Sequence, residues 1–410
     1  SNEKFCLLGR RMHVSHSRGW SNLVTKLLLI GHCVRVMCAF STIYNDSPQG
    51  PSFPTPRRDL PTKVLIGYAT NCNDGVIQAV RDGVNVVVWS FMEIHFDDTL
   101  NEARNARIKW NSLDLDCIRR TIDLLDKEGY DDTLHLTSFG GWNGPHLDSK
   151  LSAEEWFHAW QDAAGGVFHG IDWDLEGHDD LQSPTNVFSM DCLEKMGSIS
   201  RLAKEKGYII GMAPPQSYLD TGSSAFSRSV NLQEPGRTWH PEFHYFGSNV
   251  YGYLLAKYHL CIDFVSIQFY ESYSRAAMNI YGPNQMTPEA YLEKYVNDLV
   301  ENDCSILIDF EKDPSTKLSK QRVPLPLSKL VLGFANGWAA ESGEKTLFIE
   351  PEAIRRAYKS LLNISKAPRG FMFWVIGEEG KNGVSLSAPL SNILQNRQTT
   401  SAASSPDVEL

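Results

Sequence analysis

Basic residues are outnumbered in this chain of 410 residues: 39 Lys and Arg stand against 49 Asp and Glu, a net charge of −10. Neutralising a polyanion needs clustered cations in excess, so nucleic acid is not an expected partner. Cysteine is sparse, with residues at 6, 33, 38, 72, 117, 192, 261 and 304 and no C-x-x-C pair or metal-ligand spacing, so no structural metal is expected. The five beyond residue 60 are odd in number, and at least one must stay free even in an oxidising compartment. Long apolar runs are missing too. The nearest approach, Leu27 to Phe40, is interrupted by His32 and Arg35 and is too short and polar for a stable membrane span. What remains is 42% hydrophobic and 21% charged, an ordinary globular composition that excludes disordered, collagenous and coiled-coil classes.

The first sixty residues differ in texture from the rest. Arg10, Arg11, Arg18 and Lys26 precede the apolar run, and Ala39-Phe40-Ser41 offers a small-x-small site, so 27–41 resembles a secretory signal or anchor; a plain N-terminal extension is the other reading. Asn45-Asp46-Ser47 and Asn363-Ile364-Ser365 fit the N-glycosylation pattern, which is compatible with secretion. A boundary is expected near Leu60, one domain over 61–396, and a disordered polar tail over 397–410. Within the domain, eight short apolar runs alternate with helical patterns: 64–68, 84–91, 133–139, 167–176, 208–213, 262–270, 330–335 and 370–376. Leu115, Ile118, Ile122 and Leu125 make one helical face before Gly129, and Leu193, Met196, Ile199 and Leu202 another. Ser152 and Glu155 form a capping box, and Thr287-Pro288 reads as an N-cap followed by proline at the first helical position. Eight βα units describe a single α/β domain of the (β/α)8 barrel (TIM barrel) type. A doubly wound open sheet is the alternative, but it usually carries a Gly-rich phosphate loop, which the segment 68–75, YATNCNDG, is not.

The most informative segment is 169–177, HGIDWDLEG. Strand side chains alternate faces, so Asp172, Asp174 and Glu176 project to one side, with neighbouring acids about 6–7 Å apart along the backbone. Ile171, Trp173 and Leu175 between them point to a buried strand, where three like charges survive only by sharing protons and accepting hydrogen bonds. That raises at least one pKa toward the working pH, which is how a general acid is made.

This segment resembles the D-G-x-D-x-D-x-E signature of glycoside hydrolase family 18, the chitinases and their relatives, with His169 standing where the first Asp is expected. Further motifs resemble the family in chain order: Ser90-Phe91, Ser138-Phe139-Gly140-Gly141, Met212-Ala213-Pro214, Gln268-Phe269-Tyr270, Leu332-Gly333-Phe334 and Phe371-Met372-Phe373-Trp374. The resemblance implies a retaining hydrolase of β-1,4-linked N-acetylglucosamine in which the substrate's acetamido oxygen is the nucleophile. Glu176 would be acid and base, Asp174 would bind the acetamido N–H and share a proton with Asp172, and Tyr270 would contact the acetamido carbonyl. Trp374 would floor the reacting subsite, with Gln268, Met212, Tyr68 and Trp142 as further substrate contacts. Trp239, Tyr251 and Tyr253 are weaker candidates for the cleft lining.

The resemblance implies a carbohydrate substrate and no cofactor or metal, and the reading is of a monomer in the secretory pathway. His146, His178, His240 and His244 are expected to be solvated. Thirty-five residues separate Phe334 from Gly370, too few for the insertion that some family members carry beside the cleft, so an open groove and internal cleavage are expected. The family also holds endo-β-N-acetylglucosaminidases of N-glycan cores and non-cleaving lectin-like members. Retention of both Asp174 and Glu176 favours an active enzyme over a lectin.

Overall fold

The computed structural model describes residues 58–396, apart from 97–105, 111–112, 148–149, 165, 179, 181, 231–247, 272–273, 283 and 342–345. The expected signal segment, the first glycosylation motif, Trp239, His240, His244 and the polar tail therefore lie outside the described residues.

The eight runs read from the sequence are the eight strands of a closed parallel barrel. These are β1 (Val64–Ala69), β2 (Val86–Phe96), β4 (Leu134–Gly141), β5 (Gly170–Leu175), β6 (Ile209–Met212), β7 (Phe264–Gln268), β10 (Leu330–Ala335) and β11 (Gly370–Trp374). Each pairs in parallel with the next, and β1 pairs with both β2 and β11, which closes the ring and leaves no edge. Three short strands lie outside it. β3 (Ala106–Trp110) folds back antiparallel on the end of β2, and β8 (Ser305–Ile308) with β9 (Gln321–Pro324) forms a separate ribbon.

Period-two alternation builds two apolar layers. Val64, Ile66, Val86, Val88, Leu134, Leu136, Phe264 and Met372 fill the lumen, while Leu65, Val87, Trp89, Ile171, Trp173 and Ile210 pack outward against the helices. The helices start and stop where their sequence says. Ser152 Oγ accepts from Glu155 N (3.1 Å) while Glu155 Oε2 accepts from Ser152 N (2.9 Å), so both halves of the capping box form ahead of helix Ala153–Ala164. Thr287 caps helix Pro288–Glu301, and helix Leu115–Lys127 ends at Gly129, whose φ of +87° suits glycine. Cys72 and Cys117 form a disulfide between the loop after β1 and that helix, and among the described residues Cys192, Cys261 and Cys304 are free. No described helix is long and apolar enough to cross a membrane.

Candidate active site

Strand register assembles the site. On β5, the alternation that sends Ile171 and Trp173 outward turns Asp172 and Asp174 into the lumen, both nearly inaccessible to solvent. Ser138 on β4 stands opposite Asp172 and faces the same way, and its hydroxyl donates to Asp172 Oδ2 at 2.8 Å. The Tyr68 hydroxyl reaches the same oxygen at 2.7 Å from β1, a strand that is not a neighbour of β5. Two donors on one oxygen moderate the cost of burying the carboxylate, yet burial still pushes the Asp172 pKa up to about 6. Asp172 Oδ1 is buried with no hydrogen-bond partner.

One level higher, Gln268 on β7 turns its amide to three acceptors: Asp174 Oδ1 at 2.7 Å, Glu176 Oε1 at 3.3 Å and the Ala213 carbonyl at 2.6 Å. The Asp174 and Glu176 carboxyls are hydrogen-bonded to each other. Burial, then the charges of Glu176 and Asp172, hold Asp174 far above the usual carboxylate range. Burial also lifts Glu176 to about 7, against the downward pull of its bonds to Gln268 and Asp174. The hydrogen bond that forms between acids here joins Asp174 to Glu176, whereas the sequence expectation paired Asp174 with Asp172. Asp172 takes its two hydrogen bonds from the Tyr68 and Ser138 hydroxyls, both on Oδ2.

Above the acids opens a cavity of about 510 Å³, within the usual range for small-molecule sites. Asp174, Glu176, Gln268, Tyr270, Trp374 and Trp142 all line it, so six of the nine residues picked from the sequence meet at one place. Trp142 is 62% exposed at the rim, its ring 4.3 Å from that of His178. Trp374 stacks on Phe91 (5.6 Å, 22°), and its carbonyl accepts from Trp338 Nε1 at 2.9 Å. The paired glycines after Phe139 are required here. Gly140 and Gly141 have φ of +114° and +77°, and a Cβ on Gly140 would stand 2.4 Å from the Asp174 carbonyl oxygen.

Three expectations fall away from the cavity. Met212 is fully buried in the layer between barrel and helices; Gly211 and Ala213 have the lumen-facing parity on β6, and Met212 between them has the other. Asp172 and Tyr68 lie below the cavity floor, so Tyr68 holds Asp172 and does not form a subsite wall. Tyr251 and Tyr253 are packed: the Tyr251 hydroxyl donates to the Leu175 carbonyl, and that of Tyr253 to Glu194. His146 is likewise not solvated; it is largely buried, with Nε2 2.9 Å from the Glu176 carbonyl. Sequence reasoning missed Tyr218, Glu271 and Trp338, which reach the cavity from two short helical turns and a loop with no periodic pattern to read. Ser138 was within reach, since it shares Asp172's facing parity one strand over.

His169 faces away from the lumen, 5% exposed, and its Nδ1 accepts the His135 main-chain N–H at 3.0 Å. Burial lowers its pKa to about 4 and that of His135 to about 3, so both rings are neutral at physiological pH. A neutral imidazole nitrogen is an acceptor, which a carboxylate at this position would also supply.

The structure is therefore a (β/α)8 barrel with a tier of coupled carboxyl groups beneath an aromatic-walled cavity at the C-terminal ends of the strands, where barrel enzymes place their chemistry. No family model and no curated protein matches the sequence. Among solved structures, the chain resembles a fungal endo-β-N-acetylglucosaminidase from glycosyl hydrolase family 18 at 14% identity and a TM-score of 0.50, covering 82% of this chain and 96% of that one. It also resembles family 18 chitinases from Flavobacterium johnsoniae (11% identity, TM-score 0.46, 82% and 94% covered) and Pseudoalteromonas aurantia (14%, 0.45, 81% and 99%). At 14% identity, the likeness to the fungal enzyme shows the fold alone.

Proposed function

We propose that this protein is a retaining glycosidase of the family 18 type that hydrolyses β-1,4-linked N-acetylglucosamine chains by substrate-assisted catalysis. The observation that carries the reading is the tier Asp172–Asp174–Glu176, the highest acid open to a cavity that also presents Gln268, Tyr270 and Trp374. Glu176, with its pKa near 7, is available as the proton donor to the glycosidic oxygen at neutral pH. The substrate's own acetamido oxygen then attacks the anomeric carbon. This leaves no task for a second protein nucleophile, and it makes the family an exception to the two-carboxylate rule. Asp174 receives the acetamido N–H, and Asp172, ionised above about pH 6, supports the positive charge of the cyclic intermediate. The Tyr270 hydroxyl, kept protonated by burial and by the neighbouring acids, is a donor for the acetamido carbonyl. Trp374 offers a flat face to the sugar C–H groups. Water opens the ring with Glu176 as base, and the anomeric configuration is retained.

Internal cleavage is favoured by the short β10–β11 connection, which holds the helix Pro351–Asn363 and no described strand. Secretion is supported by the Cys72–Cys117 disulfide and by the solvent exposure of Asn363, Ile364 and Ser365. A second reading, hydrolysis within N-glycan cores by the same residues, has support in the likeness to the fungal endo-β-N-acetylglucosaminidase.

A turnover assay on fluorogenic chitotriose beside a chitobiose-core glycopeptide tests both readings. Glu176→Gln should abolish turnover and leave oligosaccharide binding intact, and a thiazoline mimic of the intermediate should inhibit competitively. Equal turnover by Glu176→Gln and parent would refute the assignment. Binding by the parent without turnover of either substrate would place the chain with the non-cleaving members.

A further inference from the structure

Glu176 is the first residue beyond β5, so the ladder that fixes Asp172 and Asp174 does not extend to the peptide carrying the proton donor. Contacts from outside the sheet take over. The Tyr251 hydroxyl donates to the Leu175 carbonyl (3.1 Å), Gly177 N donates to the Tyr218 hydroxyl (2.9 Å), and His178 N donates to Asn186 Oδ1 (2.7 Å). Asn143 N donates to the Gly177 carbonyl at 3.0 Å. On the Glu176 carbonyl itself the contact is His146 Nε2, at 2.9 Å.

A carbonyl oxygen only accepts, so Nε2 carries a proton in this contact, and burial lowers the ring's pKa against the upward pull of its bonds to the Glu176 and Val187 backbone. Packing against Phe188, 4.2 Å between ring centroids, holds the imidazole in place. His146 follows the Gly140-Gly141 turn, whose residues Gly141 and Trp142 line the cavity, so one loop both shapes the rim and grips the acid's backbone.

We propose that His146 is a positioning residue for the acid: its Nε2–H fixes the main-chain carbonyl of Glu176 and thereby the height at which the carboxyl meets the glycosidic oxygen. This rests on the assignment of Glu176 as proton donor. A misplacement of about 1 Å in a reacting group is enough for a loss of about 10²-fold, so the effect falls on the chemical step and not on sugar binding. His146→Ala should lower kcat about 10- to 100-fold and leave KM within about twofold. The amide nitrogen of Gln reaches about as far as imidazole Nε2, whereas that of Asn falls one methylene short. His146→Gln should therefore recover most of the rate and His146→Asn should not.

Hydrogen exchange at the amides of 176–178 supplies a readout independent of turnover. Protection should fall in His146→Ala and return in His146→Gln. An active parent matched in kcat by His146→Ala would overturn the proposal, as would a Gln variant no faster than the Asn variant when both melt like the parent. Should His146→Ala fail to fold, the Gln and Asn pair decides alone. Should the parent hydrolyse neither substrate, the functional reading fails, and unchanged amide protection across the variants would separately refute the positioning role.

Discussion

Gln268→Met removes the donor that serves the upper acids while keeping an unbranched side chain of similar length, so lost hydrogen bonding dominates over lost packing. In the native site the amide lies 2.7 Å from Asp174 and 3.3 Å from Glu176, and both bonds favour the ionised carboxylates. A hydrogen bond to a charged group contributes about 1.5–3 kcal/mol. At 1.36 kcal/mol per pKa unit, and with the donor shared among three acceptors, losing it should raise the apparent pKa of the Asp174–Glu176 pair by about one unit. Glu176 must be protonated to act as the acid, so the alkaline limb of kcat/KM should move from about 7 to about 8. Simple titration then gives a ratio of activity at pH 8 to activity at pH 6 of about 0.1 for the parent and about 0.5 for the variant. Absolute rates will drop, because Gln268 also orients Asp174, but the ratio is insensitive to that loss. A pH series on fluorogenic chitotriose reads it directly. A ratio at or below the parent's would show that the Gln268 amide does not hold these acids down, and the electrostatic account of the site would fail.

Tyr68→Phe removes one of the two donors to Asp172 Oδ2 and should lift that pKa above about 6. The unfolded carboxyl is the same in both chains and cancels, so the extra stability loss from this charge should be absent well below pH 6 and grow as pH rises through the parent's folded pKa of about 6, as melts at pH 4 and pH 8 would show. A loss of equal size at both pH values would refute the link to Asp172. His169→Asp restores the acid that the family resemblance expects, but on the face away from the cavity. Its pH–rate profile should match the parent, and its stability should fall by about 1–3 kcal/mol from burying a carboxylate in place of a neutral ring, measured by urea unfolding. A shifted profile would show that this position communicates with the acids.

The fold was legible because a parallel barrel is covered on both sides, which leaves eight near-continuous apolar runs set apart by helical periodicity. The ribbon β8–β9 was not, since Leu307 is exposed and the strand Ser305–Ile308 lacks the density of a barrel strand. For the site, parity along β5 placed Asp172 and Asp174 inward, and the carboxyl of Glu176, one residue past the strand, joined them. Met212 was picked from its motif resemblance without that rule, which on β6 turns it outward and leaves Gly211 and Ala213 with the lumen-facing parity. Tyr68 had the right facing but the wrong height, and height in a barrel depends on strand stagger, which no local pattern encodes. His146 reads as a loop histidine in the sequence. Its burial comes from Phe188 and from the turn after β5, contacts about 30 and 40 residues away along the chain.

Glu176 stays protonated near neutrality as much through what the cavity lacks as through what it holds. Among the described residues lining it there is no Lys or Arg, whereas Asp174, Glu176 and Glu271 are all present. A cation within about 4–6 Å would favour the ionised carboxylate and lower its pKa by about 1–3 units. Val230 lines the cavity beside the turn that carries the acid, close enough that a Cβ on Gly177 would meet its methyl at 2.8 Å. Val230→Lys should therefore move the alkaline limb below about 7, opposite in sign to Gln268→Met. Activity at pH 5 should suffer much less than activity at pH 7, because protonation at low pH restores the acid whatever its neighbour. High salt should reverse part of the shift, since the introduced ammonium is partly open to screening. Losses of equal size at both pH values would mean that the lysine acts by filling the cavity. Poise of the acid would then have to come from its hydrogen bonds alone, without a contribution from the absence of positive charge.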